Sequence, residues 1–109
     1  MSNSDAILLH HIIMAIEQVE RYTRGMSESE FLSRSMVQDA TVRQIEIISA
    51  AACSISPGFQ NAHPKLAWSK MIGLHKKIVP EIFSIDPANL WNTVQDDLPP
   101  HKQAIKKII

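Results

Sequence analysis

Each stretch of this chain with regular apolar spacing repeats with the period of an α-helix, and proline or glycine stands where each stretch stops. Leu8, Ile12, Ile16 and Val19 recur at spacings of four and three, so a helix capped by Ser4 or Asn3 has one apolar face, and Gly25 ends it. Ser27 and Glu30 have the spacing of a capping box, which predicts a short helix through Phe31 and Leu32. A longer helix starts near Ser35. It places Met36, Ala40, Ile47, Ile48, Ala51 and Ile55 on a broad apolar face, until Pro57-Gly58 stops it. A loop containing His63-Pro64 follows. From about Ala67, the residues Trp68, Met71, Ile72, Ile78 and Val79 are helically spaced again. Asp86 before Pro87 is a helix start, with the carboxylate as N-cap and proline at the first helical position, leading into Leu90, Trp91 and Val94. A basic segment follows Pro99-Pro100. No stretch alternates with period two for long and none repeats, so the expected fold is all-α: an antiparallel bundle of four main helices plus short ones, in one domain over residues 1–109.

A chain of 109 residues buries roughly two-thirds of its unfolded surface in one core. Its 11 basic residues equal its 11 acidic ones, which removes any global electrostatic case for a polyanionic partner. The halves differ: residues 1–54 carry four arginines against seven acids, and residues 55–109 carry seven lysines against four. One cysteine rules out a disulfide within the chain, and Cys53 among Ala50, Ala51, Ala52 and Ile55 reads as a small buried residue. Met14, Met36 and Met71 read as core fillers, and Trp68 and Trp91 as core or dimer contacts. The first apolar stretch has no basic region before it and is interrupted by His10-His11, Glu17 and Glu20, so the expected location is the cytoplasm.

Pro80 is the anomaly. Inside a helix, proline removes one backbone hydrogen bond and clashes one turn back, costing about 3 kcal/mol, so the helix through Ile78 is expected to kink or end there.

The stretch from Gln38 to Ile48, Gln-Asp-Ala-Thr-Val-Arg-Gln-Ile-Glu-Ile-Ile, with His63-Pro64, Trp68, Ile72-Gly73, Asp86, Leu90-Trp91 and Asp97-Leu98-Pro99, closely resembles the HepT-like ribonucleases, the toxin branch of the HEPN superfamily. The order and spacing of these elements cover nearly the whole chain. The resemblance implies a HEPN-type helical bundle and a composite active site, in which one helix of each protomer of a homodimer carries the pattern R-N-x-x-x-H-x-Y. It also implies a minimal nucleotidyltransferase partner that silences the toxin by attaching AMP to the tyrosine. Carried over, the arginine falls on His75, the asparagine on Lys76, the histidine on Pro80 and the tyrosine on Ile82, so all four motif positions are replaced. None of Arg21, Arg24, Arg34 and Arg43 has a histidine four to seven residues downstream, so the motif is absent and not displaced.

Metal-independent RNA cleavage needs a base, an acid and a cation for the developing charge, and proline supplies none of them. What remains on this helix is His75 with Lys76, Lys77 and Lys70, which can transfer a proton and hold phosphate, or simply form a solvated basic face. Lysine in place of arginine gives up the bidentate grip on phosphate. His10 and His11 diverge by about 100° on a helix and cannot readily share a metal, so no metal or other cofactor is expected. The expectation is therefore a ribonuclease relative with a decayed motif. It would serve as a dimeric binding module for a nucleotidyltransferase or for nucleic acid, the alternative being an active RNA endonuclease rearranged around His75, Lys76 and Lys77.

Overall fold

The computed structural model describes residues 3–81 and 85–109. Its helices are α1 (Asn3–Thr23), α2 (Glu28–Leu32), α3 (Ser35–Ser54), α4 (Pro57–Ala62), α5 (Trp68–Ile78), α6 (Pro87–Asn92) and α7 (Leu98–Lys106). A π-helical turn, Thr93–Asp97, joins α6 to α7 without a break. Four long rods result: α1, α3, α5 and the run from Pro87 to Lys106. No β-strand occurs among the described residues, and the fold is all-α as expected. No described helix is long and apolar enough to cross a membrane.

α3 is the central rod, packed against α1 on one side and α5 on the other, while α7 lies along α1 and α2 meets α6. The core joins Ile12, Ile16 and Val19 of α1 to Ile45 and Ile48 of α3, Met71 and Ile78 of α5, and Leu90, Leu98 and Ile105 of the last rod. Each such side chain contributes about 1.5–3 kcal/mol when taken out of water. Gly25 follows α1 at φ 73°, a left-handed conformation that glycine adopts without a Cβ penalty. The capping box forms: the Glu30 N–H donates to Ser27 Oγ and the Ser27 N–H to Glu30 Oε1, each at 3.1 Å.

Three expectations are corrected by how α3 and α1 are turned. The inward line of α3 is Thr41, Ile45, Ile48 and Ala52, whereas Ala40 and Ile47 are half-buried and Met36 is 85% exposed. The apolar face read from the sequence is therefore wider than the buried one, and its Met36 side looks outward. Met14 is 60% exposed, since it stands two residues, or about 200°, around α1 from buried Ile12 and from Ile16. Cys53 is exposed and not buried, because it lies about 100° around α3 from Ala52. Met71 is fully buried.

α3 stops at Ser54, just short of Pro57-Gly58 as expected, yet Pro57 does more than mark an end. It is the first residue of α4, with Ser56 as N-cap accepting the Phe59 N–H at 3.3 Å. Asp5, buried in the first turn of α1, accepts the Ser56 N–H at 2.9 Å and the Ser56 hydroxyl at 2.7 Å, and so ties the start of α1 to the start of α4. At the other anomaly, α5 stops rather than kinks. Val79 has φ −128° and ψ 71°, outside the α region that a following proline disfavours, and Pro80 lies exposed beyond the helix. Ile82 lies outside the described residues.

Candidate functional site

The site is built around α5, and a buried hydroxyl from α3 fixes where α5 sits. Ser49 Oγ donates to the Met71 carbonyl at 3.1 Å and accepts the His75 N–H at 3.0 Å. These are the carbonyl and amide that one i→i−4 bond of α5 would join, so the hydroxyl bridges a rung of the helix ladder at the turn that carries His75. His75 thereby faces α3, where its Nε2 stands 3.7 Å from Glu46 Oε2, and the Glu46 carboxylate also pairs with Arg43 one turn earlier. An imidazole, a carboxylate and a guanidinium thus meet at a half-exposed surface between two helices. A carboxylate beside an imidazole can fix its tautomer, and a guanidinium can bind phosphate through two hydrogen bonds.

The basic residues of α5 do not gather around this group. Lys77 Nζ donates to Asp97 Oδ2 at 2.7 Å, on the side that faces the last rod. Lys70, two turns earlier on nearly the same face, lies near His101 and lines a cleft with it. Lys76 stands about 100° around from His75, exposed and with no ion pair among the described residues. The four candidates therefore occupy three directions around one helix, and Pro80 follows the helix end with no ionisable group.

Four residues absent from the sequence-level site now matter. Arg43 and Glu46 have i, i+3 spacing, which is legible, but their approach to His75 is a contact between helices and leaves no spacing signal. Ser49 gave no signal at all. His101, read as part of a basic tail, is buried at 8% exposure on α7 and makes no hydrogen bond among the described residues. Burial holds its pKa below the ordinary imidazole value, with Lys70 pushing the same way and Asp97 opposing. Folding therefore disfavours the charged form of this imidazole. Its stabilising contribution is complete above about pH 6.5, the unfolded value, and is lost as pH falls towards the folded value. The expected result is that thermal melts of the native chain fall more steeply from pH 8 to pH 5 than those of His101→Gln. Parallel curves would refute it.

The other aromatic and histidine positions are structural. Trp68 is buried with its Nε1–H donated to the His63 carbonyl at 2.9 Å, Phe59 packs on the His63 ring at 4.4 Å between centroids, and half-buried Trp91 packs on Phe31. His10 and His11 are both exposed on α1. Among the described residues, no group of three or more histidine, cysteine, aspartate or glutamate side chains is arranged to hold a metal ion.

The class of protein is all-α, a helical bundle whose third and fifth helices bring a histidine, a carboxylate and an arginine together at one surface. The chain belongs to the Ribonuclease HepT-like family, whose model matches residues 12–108. It is 33% identical over 108 residues to a probable ribonuclease HepT of Thermococcus cleftensis, covering 99% of this chain and 98% of that protein. It is 30% identical over 107 residues to a putative RNase of Methanocaldococcus jannaschii, covering 97% and 98%. A third relative, from the same organism, is named gamma-glutamylcyclotransferase and putative RNase. It is 31% identical over 103 residues, 94% of this chain but 46% of that longer protein. No solved structure matches.

Proposed function

We propose that this chain is a HepT-like protein of toxin–antitoxin type that has lost the family's proton-transfer position and acts as a homodimeric binding module for a nucleotidyltransferase partner or for RNA in the cytoplasm. The observation that carries this reading is the end of α5 at Ile78. The position that the family resemblance assigns to histidine is Pro80, outside the helix and without a titratable group. Support for a second protomer comes from exposed apolar side chains on α1 and α3, Ile7 (55%), Met14 (60%) and Met36 (85%), and Met14 shares a cleft with Ile47, which also borders Arg43 and Glu46. Apolar exposure of this kind marks association surfaces. A dimer formed there brings the two Glu46–His75 pairs towards each other.

A second reading, an active endoribonuclease rearranged around His75 with Lys76 and Lys77, is favoured by one observation, the Glu46 carboxylate at 3.7 Å from the imidazole. One set of measurements separates the two. Incubation of the wild-type protein with structured and single-stranded RNA is expected to give no cleavage. Cleavage that disappears in His75→Ala and drops about 10²-fold or more in Glu46→Gln supports the second reading. Light scattering after size exclusion is expected to find a dimer that Met14→Glu converts to monomer. A monomeric wild type, with no complex when co-expressed with a neighbouring nucleotidyltransferase, overturns the binding-module reading.

A further inference from the structure

A cleft of about 470 Å³ lies where the connection between α4 and α5 meets the end of α7. Pro64, Leu66, Ala104 and Ile108 wall it, and Lys65 and Lys107, both exposed, also line it. A cavity of this size, mostly apolar with a few polar groups, suits a small organic molecule. The loop side is held in place. The His63 carbonyl accepts the Leu66 N–H at 3.2 Å and the Trp68 Nε1–H at 2.9 Å, and Leu66 is 6% exposed. The one ring in the lining, the His63 imidazole, is already packed on Phe59.

No acidic side chain lines this cleft, since Asp96 and Asp97 line its neighbour and Asp5 another. Lys77, Lys102 and Lys106 are each held by a carboxylate, whereas Lys65 and Lys107 make no ion pair or hydrogen bond among the described residues. Lys65 borders the neighbouring cleft as well, yet pairs with neither of its aspartates. α4 and α7 both end at this cleft, and the carbonyl end of a helix carries about half a negative charge. Two ammonium groups against two such ends leave roughly one unit of positive charge. That suits one anionic group and not a chain of them.

We infer that this cleft binds an amphipathic monoanion, a medium-chain aliphatic carboxylate. Its chain lies along Pro64, Leu66, Ala104 and Ile108, and its carboxylate reaches Lys65 and Lys107. The wall decides the body of the ligand: it is aliphatic and offers no free aromatic face, so it favours a flexible chain over a stacked ring. The two lysines decide the head, because a wholly apolar ligand would gain nothing from them and a cationic one would be repelled. The site is separate from the His75 surface and does not depend on what that surface does.

Titration of the isotope-labelled chain with sodium decanoate, followed by NMR and calorimetry, tests this. Saturable shifts are expected at the amides of Leu66, Ala104 and Ile108, and none at Ile7, Met14 or Met36, the exposed apolar residues elsewhere. Octanoate, two methylenes shorter, should bind about 15-fold more weakly, at about fourfold per methylene. In the double variant Lys65→Glu/Lys107→Glu, decanoate affinity should fall about 10-fold or more while that for decanol stays within about twofold. Both lysines are exposed, and unchanged thermal melts verify the fold. Decanol binding as tightly as decanoate, or a double variant that binds decanoate like the native chain, overturns the inference. So do shifts spread over Ile7, Met14 and Met36, or no saturable binding at all.

Discussion

Replacing Phe31 with alanine is expected to lower the stability of the chain by about 3–5 kcal/mol, the range for deleting a buried aromatic ring. Phe31 is fully buried and its ring lies 5.3 Å from that of Trp91, tilted by 46°, so it is the anchor by which short α2 grips the start of the last rod. A five-residue helix has too little internal hydrogen bonding to persist alone, and the ring supplies the tertiary contact that holds it. Urea unfolding should show the midpoint fall with little change in slope, and heat should unfold the variant at least 12 °C earlier, at about 4 °C or more per kcal/mol. The neighbouring Leu32, 43% exposed, is the control, and its replacement with alanine should cost less than about 1 kcal/mol. Equal losses at the two positions would mean that the Phe31–Trp91 contact does not fasten α2.

The second large effect is expected at Asp5. Its carboxylate receives both the N–H and the hydroxyl of Ser56, and it does so at 4% exposure, where hydrogen bonds to a charged group contribute more than those in water. Asp5→Ala removes those bonds and leaves the exposed Ser56 N–H to water, at a cost of about 1.5–3 kcal/mol. Asp5→Asn keeps one acceptor oxygen and should lose clearly less. Hydrogen exchange gives the local readout, in which the amide of Ser56 should exchange faster in Asp5→Ala while those of the capping box at Ser27 and Glu30 do not. A uniform speeding of all amides, with no excess at Ser56, would show that Asp5 serves the fold in general and not this junction.

The helices were legible because their ends carry explicit chemistry. Ser27 with Glu30, Asp86 with Pro87 and Gly25 each act within a turn of their own position, and each does in the structure what its spacing announces. The Asp86 carboxylate accepts the N–H groups of Ala88 and Asn89, as an N-cap should. Rotation about a helix axis was less legible. Met36 and Ile47 recur on one stripe as regularly as Ile45 and Ala52 do on another, and only the placement of α1 and α5 decides which stripe is inside. Asp5 was passed over for the same reason, since its partner lies 51 residues away. At the candidate site, His75 and the three lysines could be named from their types, but the partition of Lys77 to Asp97 and of His75 to Glu46 depends on neighbours from other helices. Pro80 was read in the right place, and the structure turned a kink-or-end alternative into an end.

The π-helical turn at Thr93–Asp97 works as a phase setter. The Leu98 N–H reaches back five residues to the Thr93 carbonyl, so the rod takes up one residue more than an α-turn would before α7 begins. Two adjacent residues receive their opposite assignments from that offset. His101 turns to the cleft that it lines with Lys70, while Lys102 turns to α1 and clasps Glu17 and Glu20. Removing a single residue from the turn would advance everything downstream by about 100°, carrying Lys102 into the buried slot that His101 fills. A change of one residue in these five is therefore felt along the whole of α7, and relatives that differ by one residue there would present a different α7 to whatever they bind.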